Sequence, residues 1–253
     1  MDKLRFIEVT PDNAVKEGLF CIKNPKYPGF KLKQQWLQER NKEGLKLKLL
    51  KSGEEILGFV EYVPIENAWR PVKGENYLFV HCMWVYPKKN YNQGFGSKLL
   101  QHCIQESRQN NLNGVAAIVS NGSWMTDKAL FLKNGFEVIN AKGRFDLVVK
   151  KFNDSPIPEF INWEVSLSKY KGLNLVYANQ CPLFIKSVDE MKATAKEFGL
   201  ELKVSILETA KDAQQAPSGY GVYSLVFDGK LLSDHYISNT RFKNIITKEI
   251  LRK

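Results

Sequence analysis

The stretch from residue 76 to residue 110, NYLFVHCMWVYPKKNYNQGFGSKLLQHCIQESRQN, constrains the fold of this chain more than any other part. Its apolar run from Tyr77 to Tyr86 is long enough for a buried strand. Pro87 ends that run, because proline has no N–H to give a sheet ladder. A polar loop with Gly94-Phe95-Gly96 follows, and apolar residues then recur at helical spacing. The stretch therefore predicts a strand, a glycine-containing loop and a helix in direct succession.

This order of elements predicts an anion site at the start of the helix. The first N–H groups of a helix have no intrahelical acceptor, and the helix dipole favours negative charge there. Glycine lets a phosphate approach the backbone closely. The spacing is not that of a dinucleotide or nucleoside triphosphate motif, since Leu99 stands at the third glycine position and no Gly-Lys-Ser/Thr occurs. The alternative is that Gly94 and Gly96 only make a tight turn into a core helix.

Two blocks of the sequence together resemble a known family. Val85-x-Pro87, a loop, Gly94-x-Gly96 and Leu99-Leu100 resemble the acyl-CoA pyrophosphate motif of the GNAT superfamily of N-acetyltransferases. Further along, residues 129–136, ALFLKNGF, resemble the helix of that superfamily that ends in Gly-Phe. The resemblance implies the GNAT acyl-CoA N-acyltransferase fold, acetyl-CoA as cosubstrate, and direct acetyl transfer to a small-molecule or peptide amine.

The resemblance also implies which residues bind the cofactor, mostly through backbone N–H groups. They are Met83, Trp84, Val85, Tyr91, Asn92, Gln93, Gly94, Phe95, Gly96, Ser97 and Phe131. Tyr91 departs from the family pattern, which has Arg or Gln there. Phe131 stands where the family carries its tyrosine acid, and it cannot donate a proton. Tyr91 or a water is therefore expected to serve as the acid, or catalysis relies on positioning.

Candidate catalytic bases lie near the centre of the predicted sheet. They are Glu61, His81 and Cys82. Each has a structural alternative: His81 as a hydrogen-bonded core residue, Cys82 as a buried apolar filler, and Glu61 as a solvated surface group. Trp84 can similarly line a pocket or belong to the core. In the helix that follows residues 114–120, Thr126 is the expected N-cap.

Composition limits the class and the partners of the protein. Hydrophobic residues make up 43% and charged residues 25%, as in soluble globular proteins. No apolar run approaches the roughly 18 residues of a membrane span, and the first residues lack the apolar segment of a signal peptide. We therefore expect a cytoplasmic protein without a membrane partner. The net charge of +10 is spread along the chain, which argues against a nucleic-acid partner and suits a polyphosphate ligand such as CoA.

The cysteines and histidines argue against metal sites and a disulfide scaffold. The four cysteines, Cys21, Cys82, Cys103 and Cys181, form no CxxC pair. The three histidines are equally dispersed, with no spacing typical of metal ligands. We therefore expect no bound metal.

From Leu173 the chain begins a second α/β pattern of strand, helix, strand, helix, hairpin and helix. This order resembles a thioredoxin fold, and Cys181-Pro182 resembles the attacking half of a glutaredoxin-like Cys-Pro-x-Cys, with Phe184 at the second cysteine position. A helix N-terminus stabilises a thiolate, so Cys181 is a redox candidate, with a structural cap as the alternative. The two-part layout resembles that of YoaP-type proteins.

The expected fold is α/β, with a GNAT domain followed by a smaller thioredoxin-like α/β domain. The predicted boundaries are 1–152, a packed linker at 153–171, and 172–253. Two functions compete: an acetyl-CoA-dependent N-acetyltransferase, and a thiol redox or binding module that uses Cys181 beside a vestigial CoA site. The sequence leaves the acceptor amine and the oligomeric state open.

Overall fold

A computed structural model describes residues 3–22 and 24–251 of the chain. The strands are β1 (Leu4–Val9), β2 (Lys46–Ser52), β3 (Glu55–Pro64), β4 (Val72–Lys73), β5 (Tyr77–Val85), β6 (Gly114–Val119), β7 (Glu137–Lys142), β8 (Phe145–Lys151), β9 (Glu159–Phe160), β10 (Leu173–Tyr177), β11 (Leu202–Ile206), β12 (Tyr223–Phe227) and β13 (Lys230–Ser233). The α-helices are α1 (Ala14–Glu17), α2 (Pro28–Asn41), α3 (Phe95–Gln109), α4 (Lys128–Lys133), α5 (Glu164–Leu167), α6 (Phe184–Glu197), α7 (Ala210–Gln214) and α8 (Asn239–Ile245).

The larger sheet has seven strands in the order β1-β2-β3-β5-β6-β8-β7. All neighbouring strands are antiparallel except β5 and β6, which are parallel. A parallel pair needs a crossover connection, and α3 supplies it. The predicted strand, glycine loop and helix of residues 76–110 are thus confirmed. The sequence also predicts a hairpin of strands at 45–50 and 56–63 that turns at Ser52-Gly53, and β2 and β3 form it.

Helix α3 covers one face of this sheet with the apolar stripe that its sequence predicts. Leu99, Leu100, Cys103 and Ile104 are all buried and belong to one core cluster with strand residues that include Val80. Burying a side chain of this size contributes roughly 1.5–3 kcal/mol. This stripe fixes α3, and with it the loop at its start, against the centre of the sheet.

The cap of α4 differs from the predicted one. Asp127, not Thr126, is the N-cap, and its side chain accepts a hydrogen bond from the N–H of Ala129. The Thr126 hydroxyl instead donates to the carbonyl oxygen of Met83 on β5 at 3.4 Å. Thr126, the cap that the local sequence favours, therefore makes a tertiary contact with β5 instead. Gly135, with φ of 78°, follows the helix as predicted.

The smaller sheet has four strands in the order β11-β10-β12-β13. Strands β10 and β11 are parallel, and the other neighbours are antiparallel. The sequence predicts an apolar seam of Phe184, Val188, Met191, Ala195 and Phe198 on the helix after Cys181. Helix α6 buries the first four, whereas Phe198 caps its C-terminus and is only half-buried. The element order predicted from Leu173 onward is confirmed.

Two helix starts in this region are set by caps. The sequence predicts a short helix over residues 208–214, and α7 begins two residues later, because Thr209 and Asp212 form a capping box. The sequence predicts a last helix from Arg241 to Arg252. Helix α8 begins two residues earlier, at Asn239, because the Ser238 side chain accepts a hydrogen bond from the Arg241 N–H. A π-helical segment, Ile246–Ile250, continues it. The predicted end at Arg252 lies outside the described residues.

The chain divides into two compact units, each with most of its packing inside itself. The first comprises the described residues up to Pro25, Gln34–Ala68 and Val72–Phe160, and the second comprises Lys26–Lys33, Trp69–Pro71 and the described residues from Ile161 onward. Inside the second unit the buried Arg70 donates to the Gln180 side chain at 3.0 Å. The second unit therefore includes short segments from early in the sequence.

Across residues 3–22 and 24–251, no helix is both long and apolar enough to cross a membrane. The same residues contain no group of three or more His, Cys, Asp or Glu side chains that could hold a metal ion.

His102, on α3, lies in a polar cluster on the core side of the larger sheet. Its ring stacks on Phe6 with a centroid distance of 4.1 Å, and its Nε2 is 3.5 Å from a carboxylate oxygen of Glu106. Burial lowers the pKa of His102, Glu106 opposes this shift, and Lys48 and Lys46 add to it. The polar groups that face the ring are Glu8, Lys46, Lys48, Tyr62 and Glu106.

The stability of the protein should therefore fall as the pH drops below the ordinary histidine value of 6.5. The folded-state pKa of His102 is the lower one, so the unfolded chain binds the proton more readily and acid favours unfolding. Urea unfolding between about pH 5 and pH 7 should show this loss in the wild type and a flatter profile in His102→Gln. His235→Gln, in the second unit, controls for losing an imidazole elsewhere. An equally steep profile in His102→Gln would contradict the prediction.

Candidate active site

Strand β5 is paired with its parallel neighbour β6 along only its first half. The ladder runs from Tyr77 opposite Gly114 to Val80 opposite Ala117, while β5 continues to Val85 and β6 to Val119. Strand β6 stays paired with β8 over this length, so the two central strands part. The edge of β5 beyond Val80 has no ladder partner on the β6 side among the described residues. Its backbone groups need other partners, and a ligand can supply them.

The same point of β5 carries a β-bulge. Across the β3–β5 ladder, Tyr62 lies opposite Val80 and Glu61 lies opposite Cys82, so His81 is the extra residue. A bulge bends and twists a strand, and bulges are over-represented next to active sites. The bulge and the end of the β5–β6 ladder coincide, and both redirect the second half of β5.

Backbone direction identifies the groups that line the gap. The Tyr86 N–H donates to the Leu57 carbonyl on the β3 side. Alternate residues of a strand direct their backbone groups to opposite edges, so those of Met83 and Val85 point toward β6. The contact from Thr126 to the Met83 carbonyl agrees with this direction. Met83 and Val85, both predicted cofactor contacts, therefore border the gap.

The start of α3 presents free backbone N–H groups. Gly94 is the N-cap in the left-handed region, with φ of 79°, and the Lys98 N–H makes the first intrahelical bond to its carbonyl at 3.0 Å. In the part of the chain that the structure describes, the N–H groups of Phe95, Gly96 and Ser97 have no acceptor. A Cβ built on Gly94 would meet nothing within 4 Å. The geometry fits an anion seated on the loop.

Helix α4 packs against α3 and is hydrogen-bonded to it beside this loop. A Cβ on Gly96 would lie 3.0 Å from the Leu130 side chain. The buried Asn134 amide donates to Ser97 Oγ at 3.0 Å and accepts from Gln101 Nε2 at 3.1 Å. Asn134 thus links the two helices, and no local sequence signal predicted this role.

Phe131, the other predicted cofactor contact on α4, lies in the core. Its ring is 1% exposed and makes an edge contact with Phe136 at 5.1 Å. A role in cofactor binding remains a prediction that this placement does not favour. Asn92, with φ of 61°, and Gln93 lie in the loop before Gly94, as predicted.

Glu61 and His81 are brought together on the sheet face opposite α3. His81 Nδ1 is 3.7 Å from Glu61 Oε1, and the residues are 6% and 1% exposed. The solvated alternative for Glu61 is therefore wrong. A carboxylate beside an imidazole can orient the ring and stabilise its protonated form. The pair has the chemistry of a general base, although both side chains are covered.

Cys82 and Trp84 are the exposed residues of β5 on that face. Cys82 is exposed rather than a buried filler, and Trp84 is 43% exposed rather than core. Trp84 Nε1 donates a hydrogen bond to the Tyr91 hydroxyl at 3.3 Å. The Tyr91 hydroxyl therefore keeps its own proton available for donation. Both side chains point out of the sheet face opposite α3, and their exposure shows that this part of the face is uncovered.

Cys181 lies in the turn before α6, partly exposed. The N-cap of α6 is Leu183, so Cys181 is not the structural cap that was the alternative. Phe184 is fully buried in the core. A reactive role for Cys181 stays a prediction.

A cavity of about 480 Å³ lies elsewhere, between β13 and α8 of the second unit. It contains His235, whose Nδ1 is 2.7 Å from Asp234 Oδ1. None of the predicted site residues lines this cavity.

Two family models match different parts of the chain. Residues 16–136 match a family model described as acetyltransferase (GNAT) family, and residues 202–244 match one described as YoaP-like. The chain is 26% identical over 249 residues to the uncharacterized N-acetyltransferase YoaP of Bacillus subtilis (strain 168), covering 95% of this chain and 98% of that protein.

Solved acetyltransferases align with part of the chain. A ribosomal-protein-alanine N-acetyltransferase from Brucella melitensis is 22% identical, with a TM-score of 0.41, over 58% of this chain and 99% of that one. The PaiA N-acetyltransferase from Thermoplasma acidophilum, in complex with coenzyme A, is 14% identical, with a TM-score of 0.43, over 59% of this chain and 99% of that one.

Proposed function

We propose that this chain, an N-acetyltransferase of the GNAT family with a YoaP-like region, transfers the acetyl group of acetyl-CoA to a primary amine. The observation that carries the proposal is the parting of β5 from β6 after Val80, next to the free N–H groups at the start of α3. One end of this opening suits a polyphosphate and the other suits an extended chain that carries amide groups. Acetyl-CoA has both parts.

The residues that would hold the cosubstrate act mainly through their backbone. The N–H groups from Asn92 to Ser97 would bind the pyrophosphate, and the open space at Gly94 leaves room for it. Met83 and Val85 would pair with the amides of the pantetheine arm, as a neighbouring strand would. When bound, acetyl-CoA supplies an activated acetyl thioester.

The proton transfers assign roles to three side chains. The amine nitrogen loses two protons in all as the C–N bond forms and the C–S bond breaks; the thiolate gains one, and the other goes to solvent. Glu61 and His81 would accept the first proton through a water, because both are buried. Tyr91 would protonate the thiolate, since its hydroxyl already accepts from Trp84.

The finer domain assignment is part of this proposal. We assign residues 1–152 to the acetyltransferase domain, 153–171 to a packed linker, and 172–253 to a thioredoxin-like domain. The order β11-β10-β12-β13, with β12 antiparallel to its neighbours, supports the thioredoxin-like assignment. A cytoplasmic location and a small-molecule or peptide acceptor belong to the same proposal. Thiol redox chemistry at Cys181 gains no support from the comparisons.

Alkylation of Cys82 tests the proposed site. Cys82 is exposed beside the opening, so desulfo-CoA should slow its reaction with iodoacetamide about tenfold at about ten times the dissociation constant. The rate at Cys181 should not change. Cys103 should react slowest, because burial raises the pKa of its thiol. The rates can be read by peptide mass spectrometry, alongside turnover of acetyl-CoA with an amine panel. An unprotected Cys82 at saturating ligand would refute the site.

A further inference from the structure

A continuous row of aromatic rings flanks the opening on the face that carries Cys82. The Phe59 ring lies 4.7 Å from Phe20, Phe20 lies 5.6 Å from Trp84, and Trp84 lies 5.2 Å from Tyr86, as centroid distances. Trp84 also donates to Tyr91. We call these five residues the aromatic wall. Phe59 is buried, whereas Trp84, Tyr86 and Tyr91 are 43%, 51% and 43% exposed.

An acceptor must reach the acetyl group from the side of this wall. On the other face of the sheet, Val80 and Met83 are packed against α3 in the core. Core side chains therefore cover β5 on that face. The exposed face carries the wall and Cys82, so the body of an acceptor must lie against them.

Trp84 lies at a defined distance along β5 from Cys82 and the Glu61–His81 pair, where the acetyl transfer is proposed to occur. Trp84 is opposite Phe59 in the β3–β5 ladder, and Cys82 is opposite Glu61. The two pairs are two residues apart, which is about 7 Å along a strand. A two-carbon spacer puts a primary amine about 5 Å from the centre of its ring. A ring held by Trp84 thus places its amine near Cys82 and the Glu61–His81 pair.

We propose that the acceptor is a primary amine on an aromatic ring, bound by the aromatic wall; this rests on the proposed acetyl transfer. Aromatic rings attract one another in offset or edge-to-face contacts, so the wall favours an acceptor that carries an aromatic ring. The Glu61 carboxylate favours the ammonium form as it arrives. The exposed wall residues carry no charge, so a polyamine would find no carboxylate among them for its further ammonium groups. Aromatic arylalkylamines are the class that fits.

The test compares amines of matched length on the full chain. We expect kcat/KM for 2-phenylethylamine to exceed that for 2-cyclohexylethylamine about tenfold, because only the former has an aromatic face. Trp84→Leu should reduce this ratio to about twofold, whereas Trp84→Phe, which keeps a ring, should retain most of it. Butylamine, spermidine and a phenylalanine-initiated dipeptide complete the panel. Thermal unfolding of each variant confirms that it is folded.

A second readout separates this inference from the proposed function. Calorimetric titration of each amine into the protein with desulfo-CoA measures binding without turnover. If no amine is acetylated, the proposed function fails. Tighter binding of the phenyl compound than of the cyclohexyl compound would still show that the aromatic wall binds an aromatic amine. Equal binding and equal kcat/KM for the phenyl and cyclohexyl amines would overturn the inference. A preference for spermidine or for the dipeptide would also overturn it. The same holds if Trp84→Leu weakens acetyl-CoA binding but leaves the ratio of kcat/KM between the phenyl and cyclohexyl amines unchanged.

Discussion

Replacing Gly94 with valine is expected to raise the dissociation constant for acetyl-CoA about 100-fold or more. Gly94 has φ of 79°, which a β-branched residue adopts only under strain. Relaxing that strain moves the loop and misdirects the N–H groups of residues 95–97. Strain of about 1–3 kcal/mol and the loss of charge-assisted hydrogen bonds together account for the size of the effect. Isothermal titration with acetyl-CoA measures it directly.

The chain offers a matched control for the Gly94 substitution. Gly143, in the turn between β7 and β8, also has positive φ, and a Cβ there would also meet nothing within 4 Å. Gly143→Val should lose similar stability and keep acetyl-CoA affinity. Gly96→Val should weaken binding by another route, because it presses on Leu130 and separates α3 from α4. Unchanged affinity in Gly94→Val would remove the basis for the phosphate site.

Replacing Glu61 with glutamine is expected to lower kcat about 100-fold while changing KM for acetyl-CoA little. The amide keeps the shape of the carboxylate and removes its charge, so it no longer stabilises a protonated His81 at 3.7 Å. General base catalysis contributes about 100-fold or more. A loss confined to kcat marks a group that acts in the transition state. Release of CoA, followed with a thiol reagent across pH, gives both constants.

Glu106→Gln is the matched control for the Glu61 substitution. Glu106 also has a mostly buried carboxylate, held by Lys46 and Tyr62 on the opposite face of the sheet. Neutralising it should lower stability and leave kcat nearly unchanged. If Glu61→Gln retains kcat within about threefold, the base lies elsewhere and the buried pair is structural.

The order of elements could be predicted because it depends on local signals. Apolar spacing identified β5 and the stripe of α3, and Gly135 marked the end of α4. The glycines at 94 and 96 located the loop that we propose binds phosphate, since their backbone requirements are visible in the sequence. Local rules of this kind do not depend on which strands become neighbours.

The details of the site depend on tertiary pairing and could not be predicted in the same way. The apolar run through β5 suggests burial on both faces, yet Cys82 and Trp84 are exposed, because what covers a sheet face is decided by segments distant in the sequence. The bulge at His81 arises from the register with β3, which the sequence of one strand does not fix. The joining of Phe20 to the wall likewise depends on how a distant loop packs.

The half-paired state of β5 separates two kinds of evolutionary constraint. On the open edge, Met83 and Val85 present backbone groups, which every residue except proline supplies in the same form. Outward-facing side chains such as those of Cys82 and Trp84 do not take part in this backbone pairing. Substitutions on the outer face can therefore change the accepted amine while the shared acetyl donor is retained. A fold built in this way can diversify its substrates by point mutation without first losing its chemistry.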